Sequence, residues 1–152
     1  MRLRHAFLVP KSPAVILCDT SVIVAVINRR DQDHAVCAQL LRTIRFQLIT
    51  TWPCITEDMY RLQAHAGPVE QETLRRQIER GFFALVIPAL ADALRVCAPI
   101  RQYADTPMDF ADASLVLAAE VLSIRRVLTL DRHFYAYRIH GFTPFEVIPP
   151  LR

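Results

Sequence analysis

Glycine is scarce in this chain, with 3 in 152 residues. A Gly-rich phosphate loop and a flexible linker are therefore excluded. Neither G-x-G-x-x-G nor G-x-x-x-x-G-K-[ST] occurs, so the common nucleotide-binding signatures are absent. Lysine is scarcer still: Lys11 stands alone, which leaves no lysine for the late strand of a receiver-type phosphoacceptor domain. The four cysteines, Cys18, Cys37, Cys54 and Cys97, make no C-x-x-C pair and no Cys/His zinc spacing. Each reads as a small apolar core residue, and free thiols suit a reducing cytoplasm. Long hydrophobic runs are missing too. The longest, Ala14 to Ile27, carries Asp19 inside it and is too short to span a bilayer. The apolar stretch near the N-terminus is broken by Pro10-Lys11 and is too short for a signal peptide. A soluble, cytoplasmic protein with no membrane partner is expected.

Neither sign of charge dominates: 18 basic and 15 acidic residues give +3. If four acids are committed to an internal site, the remaining surface is distinctly basic. That combination suits a polyanion that meets metal at its centre.

The length is that of one domain, and 53% hydrophobic residues supply a sizeable core. Five short apolar runs read as strands: 14–18, 47–51, 85–87, 126–130 and 146–148. They lack strict alternation, as parallel strands covered on both faces do. Between them lie helical stretches at 20–29, 32–45, 53–66, 68–81, 91–103 and 107–123, with a short helix after Asp131. Strands separated by helices imply βαβ units. The expected fold class is α/β: a three-layer α/β/α sandwich around a mostly parallel sheet of about five strands. Residues 1–13 are expected to form a short N-terminal arm, and 14–152 a single domain.

Ligands in open parallel sheets bind beyond the carboxyl ends of the strands. Asp19 directly follows Val15-Ile16-Leu17-Cys18, and Asp131 follows Val127-Leu128-Thr129-Leu130, so two strands each end in an aspartate. Helix capping is the alternative role for both, but a carboxylate between Cys18 and Val22-Ile23-Val24 is costly to bury without compensation. Glu57 lies about one turn into the helix opened by Pro53, while its neighbour Asp58 points about 100° away. In Thr106-Pro107-Met108-Asp109-Phe110-Ala111-Asp112, Thr106 can cap and Asp109 can complete a capping box. Asp112 has no such role, on a helix apolar almost all round. Asp109 and Asp112 share a face, and a cation would relieve their repulsion. Oxygen donors without His or Cys select Mg²⁺ or Mn²⁺ over Zn²⁺, ions suited to phosphodiester hydrolysis.

At these residues the chain resembles the PIN-domain ribonucleases, including the VapC-type toxins of bacterial toxin–antitoxin pairs. The resemblance runs over nearly the whole chain. It rests on Asp19-Thr20-Ser21, Ile55-Thr56-Glu57, Asp109-Phe110-Ala111-Asp112-Ala113 and Thr129-Leu130-Asp131-Arg132-His133-Phe134. It implies a PIN-like fold and Mg²⁺- or Mn²⁺-dependent endoribonuclease activity. By motif position, the catalytic and metal-binding acids would be Asp19, Glu57, Asp112 and Asp131, with Asp109 an additional metal ligand. Thr20, Ser21 and Thr129 would be supporting hydroxyls. The implied partners are an RNA substrate, an antitoxin and a second copy of the chain. Arg125, Arg126, Arg132, His133 and Arg138, near the fourth strand, are candidate RNA contacts. Two other readings stand beside this one. One is a non-catalytic PIN-like interaction module. The other is an aspartate-based phosphotransfer domain, disfavoured because Ser21 occupies the position where dehalogenase-type phosphatases need a second Asp.

Overall fold

The computed structural model describes residues 14–149; the expected arm at 1–13 lies outside them. Strands β1 (Val15–Cys18), β2 (Gln47–Thr51), β3 (Phe83–Val86), β4 (Arg126–Leu128) and β7 (Glu146–Ile148) form one sheet in the order β3-β2-β1-β4-β7. Every pairing in it is parallel, as the continuous apolar runs foretold. A two-stranded antiparallel ribbon, β5 (Arg138–Ile139) with β6 (Thr143–Pro144), packs beside it. The sequence patterning had not flagged this ribbon, because two-residue strands carry no periodicity. Its turn uses left-handed backbone at His140 and Gly141.

Helices α1 (Thr20–Ile27), α2 (His34–Thr43), α3 (Trp52–His65) and α4 (Pro68–Glu79) precede β3. Helices α5 (Leu90–Arg95), α6 (Cys97–Gln102) and α7 (Phe110–Leu122) lie between β3 and β4. Alternate residues of β1 face opposite layers. Ile16 and Cys18 pack with Val22 and Ile23 of α1 and with Leu62 and Leu74. Leu17 packs with Leu115, Val116 and Ala119 of α7. The three-layer α/β/α expectation therefore holds.

Two helix boundaries between β3 and β4, and the burial of one cysteine, differ from the sequence reading. The helix expected at 91–103 is two short helices divided at Val96. Pro99 lacks an N–H and its ring clashes with the carbonyl four residues back, at Arg95, so one continuous helix cannot pass through it. The helix expected from Pro107 starts at Phe110, and its cap is Asp109, not Thr106. Met108 is turned into the core instead, which holds Pro107-Met108 outside the helix. Of the cysteines, Cys18, Cys37 and Cys54 are buried as expected, but Cys97 is exposed, because α6 buries none of its residues.

With all five strands parallel, their carboxyl ends share one edge. The sheet order reverses at β1, with β2 on one side and β4 on the other. The crevice where strand order reverses is where open α/β sheets bind ligands, and Asp19 and Thr129 emerge there.

Candidate active site

Asp19 leaves the central strand in extended conformation and caps α1. Its Oδ2 accepts from the Ser21 hydroxyl at 2.6 Å, the Ser21 amide at 3.4 Å and the Thr129 hydroxyl at 2.8 Å. None of these donors goes to Oδ1, which is left for the cavity that Asp19 lines. The clamp is itself held. Ser21 Oγ accepts from the Leu130 amide at 2.9 Å, and Thr129 Oγ1 from the Asp131 amide at 2.9 Å. Capping and clamping are thus one arrangement that fixes a buried carboxylate in orientation. Thr20, also expected to support Asp19, does not: its buried hydroxyl has no partner. The helix period aims it away from the Ser21 side.

The cavity beyond Asp19 measures about 470 Å³ and is lined by Asp31, Asp33, Glu57, Asp109, Asp112 and Asp131 besides Asp19. All five acids singled out in the sequence meet there. Asp31 and Asp33 come from the loop after α1 and carried no signal of their own. Arg61 is the one cation among the lining residues. It stands 3.6 Å from Glu57 at the i,i+4 position of α3, a spacing that could have revealed it.

Each acid is placed by local structure. Asp109 caps α7, its Oδ1 accepting from the Asp112 amide at 2.8 Å. Asp112 follows in the first turn, buried, with its Oδ2 3.3 Å from the Tyr137 hydroxyl. Asp131 caps the 3₁₀ turn Arg132–Tyr135 through the His133 amide and stands 3.1 Å from His133 Nδ1. Glu57 is half-buried on α3.

The electrostatic result is a group of acids that resist ionisation. Burial, and then the neighbouring Asp19, Asp109 and Asp131, push the Asp112 carboxyl up to about 8. Burial raises Asp19 as well, against the downward pull of the Ser21 and Thr129 hydroxyls. Glu57 is raised by burial and by Asp109, with Arg61 opposing. Among the described residues, no three acidic, imidazole or thiol side chains stand around a common point as a closed ligand set. Their chemistry nonetheless fits a hard divalent ion. The donors are all oxygen, and a cation among them would offset the burial and crowding that raise Asp19, Glu57 and Asp112.

Asp58, next to Glu57, was read only as pointing elsewhere. It points into the core, fully buried, with neither carboxyl oxygen hydrogen-bonded. Burial, then Asp19 and Glu57, push it up to about 9. It is a neutral acid in the folded chain at pH 7 and an ionised one in the unfolded chain. Asp58→Asn is therefore expected to raise the melting temperature at pH 8 by about 5 °C or more, and to leave it nearly unchanged at about pH 4. Thermal unfolding at the two pH values checks this.

The candidate RNA-contact residues do not converge. Arg126 opens β4 at the amino edge of the sheet, pairing with Glu146 at 3.2 Å and lying over the Phe46 ring. Arg125 precedes it. An extended strand separates both from Asp131. Arg138 donates to the carbonyls of Tyr135, Ala136 and Tyr137, each at 2.8 Å, and so braces the backbone. Arg132 and His133 are exposed beside Asp131 and alone of the five remain near the cavity mouth. Trp52, Tyr60 and Phe82 are exposed.

Comparison with known proteins identifies the family. The family description "PIN domain" matches residues 16–139. Ribonuclease VapC26 of Mycobacterium tuberculosis is 27% identical over 135 residues, 88% of this chain and 100% of that protein. The crystal structure of VapC20 from Mycobacterium tuberculosis, a Sarcin-Ricin loop cleaving toxin, superposes with a TM-score of 0.76 at 16% identity, covering 85% of this chain and 99% of that one. FitAcB from Neisseria gonorrhoeae gives 0.50 at 18% identity, over 77% and 88% of the respective chains. The order Asp19, Glu57, Asp112, Asp131 at one edge of a parallel sheet, and a family match spanning most of the chain, place this protein in the PIN-domain family.

Proposed function

We propose that this chain is a divalent-metal-dependent endoribonuclease, the toxin-like member of a toxin–antitoxin pair. The observation that carries the reading is the hydroxyl-clamped Asp19 facing a cavity with six further acids. Asp19 and Asp112, both buried, would hold Mg²⁺ or Mn²⁺ most directly. Glu57 and Asp131 would complete the donor set from α3 and the end of β4, and Asp109 would assist from the rim. The ion, when bound, supplies a nucleophile from water at neutral pH and offsets charge on the phosphoryl group.

The chain's own residues supply orientation. Ser21 and Thr129 keep Asp19 from rotating, and a cavity of about 470 Å³ admits a nucleotide-sized group. Arg61, which lines the cavity, would meet a phosphate once Glu57 is engaged elsewhere. That the chain is similar to a protein named a ribonuclease, and in fold to one titled a Sarcin-Ricin loop cleaving toxin, supports RNA as substrate and an antitoxin as partner. A homodimer would draw on exposed apolar side chains, among them Leu90, Leu94, Phe110 and Val121. No helix among the described residues is long and apolar enough to cross a membrane.

Incubation of the purified protein with structured and single-stranded RNAs tests the reading. Cleavage at a small number of sites is expected with Mn²⁺ or Mg²⁺, abolished by a chelator and restored by the ion. A folded protein that binds Mn²⁺ yet cuts none of them, or whose cutting survives chelation, contradicts it.

A further inference from the structure

One side of the acid cavity is backed by a side chain that the reaction as proposed does not use. Tyr137 follows the 3₁₀ turn and is fully buried. Its ring is fixed edge-on between Tyr103 and Phe134, each 5.2 Å away between centroids, so its hydroxyl has little freedom of position. That hydroxyl lies 2.6 Å from the Pro107 carbonyl oxygen and 3.3 Å from Asp112 Oδ2, donating its one proton across the pair. The two acceptors flank Asp109. Pro107 belongs to the extended approach to α7, and Asp112 to the helix's first turn. One phenol therefore ties the approach, the helix start and a metal-site carboxylate to the chain that follows Asp131.

We infer that Tyr137 is a positioning residue, whose hydroxyl orients the Asp112 carboxylate for the divalent cation. The inference rests on the metal-dependent reading above. A carboxylate ligand free to rotate loses that freedom on binding, whereas one held through Oδ2 has already lost it. Donors just outside a coordination sphere raise metal affinity in this way, typically 10–100-fold.

Tyr103 supplies an internal control. It belongs to the same aromatic cluster, yet its buried hydroxyl has no partner. A role for the Tyr137 ring in packing alone would make the two hydroxyls equally dispensable, and a role through the Pro107 carbonyl alone would cost as much without Asp112 as with it. A role in orienting Asp112 would not.

The test is a Mn²⁺ titration of the folded proteins at pH 7, reading free Mn²⁺ by electron paramagnetic resonance. Metal-free thermal unfolding of each protein is recorded alongside. Tyr137→Phe, which keeps the ring, is expected to weaken Mn²⁺ binding by roughly 10–100-fold. Tyr103→Phe is expected to leave it within about twofold. In an Asp112→Asn background, Tyr137→Phe is expected to cost little more, because the group it orients is gone. Wild-type affinity in folded Tyr137→Phe, or equal losses in the two phenylalanine variants, overturns the inference while leaving the metal site standing. Failure of the wild-type protein to bind Mn²⁺ at millimolar concentration overturns both.

Discussion

Replacing Asp19 by Asn is expected to reduce RNA cleavage by about a thousandfold or more while the protein stays folded. Asn has nearly the shape of Asp, and its carbonyl oxygen can still accept from Ser21 and Thr129, which now converge on Oδ2. The charge is lost, and with it the buried carboxylate that would face the cation. An effect of several kcal/mol is typical of metal-assisted stabilisation of transition-state charge, and about 4 kcal/mol corresponds to a thousandfold. Stability is expected to move the other way. The Asp19 carboxyl is raised by burial, so the metal-free fold bears a cost for it at pH 8 that Asn does not incur. Loss of activity with an unchanged or higher metal-free melting temperature separates a functional from a structural role. A folded Asp19→Asn protein that cuts RNA at the normal rate contradicts the assignment.

The second large effect concerns pH. Asp112 is raised to about 8 and Asp58 to about 9, with Asp19 and Glu57 raised as well. Unfolded carboxyls titrate near 4. Between those limits the folded, metal-free chain binds more protons than the unfolded one, so its stability must fall as pH rises. The stabilisation is fully present below about pH 4 and is lost as pH climbs through 8 to 9. Metal-free protein is therefore expected to melt at a higher temperature at pH 5.5 than at pH 8.5, by several degrees at roughly 2–4 °C per kcal/mol. Saturating Mn²⁺ should flatten or reverse the slope, because it binds the ionised carboxylates and its contribution grows with pH. Calorimetric scans at the two pH values, with and without the ion, check this. A metal-free protein more stable at pH 8.5 than at pH 5.5 contradicts it.

The order of the sheet's helices and strands was legible because its strands are unbroken apolar runs, and a charge beside such a run stands out. That is why Asp19 and Asp112 could be found from sequence. Asp109 was harder. Thr106 and Asp109 are both good caps three residues apart, and the choice between them is made by Met108 entering the core, a tertiary event. Asp58 was legible as a direction on α3 but not as a burial, because α1 and the sheet, not the local period, decide which face of α3 is covered. The basic residues misled for a related reason. Arg125 and Arg126 are close to Asp131 in sequence, but a strand rises about 3.3 Å per residue and carries them to the far edge. Tyr137 carried no signal at all, since its hydroxyl reaches Asp112 across 25 residues.

The central claim is that this acidic cavity exists to hold a divalent cation. Calorimetric titration of Mn²⁺ into the metal-free protein at pH 7, repeated in two buffers of different ionisation enthalpy, tests it most directly. Binding at or below millimolar concentration is expected, with a heat that changes between buffers because Asp112, and the raised carboxyls near it, must release protons as the ion enters. No binding at millimolar Mn²⁺ contradicts the claim and leaves the cavity to a non-catalytic role.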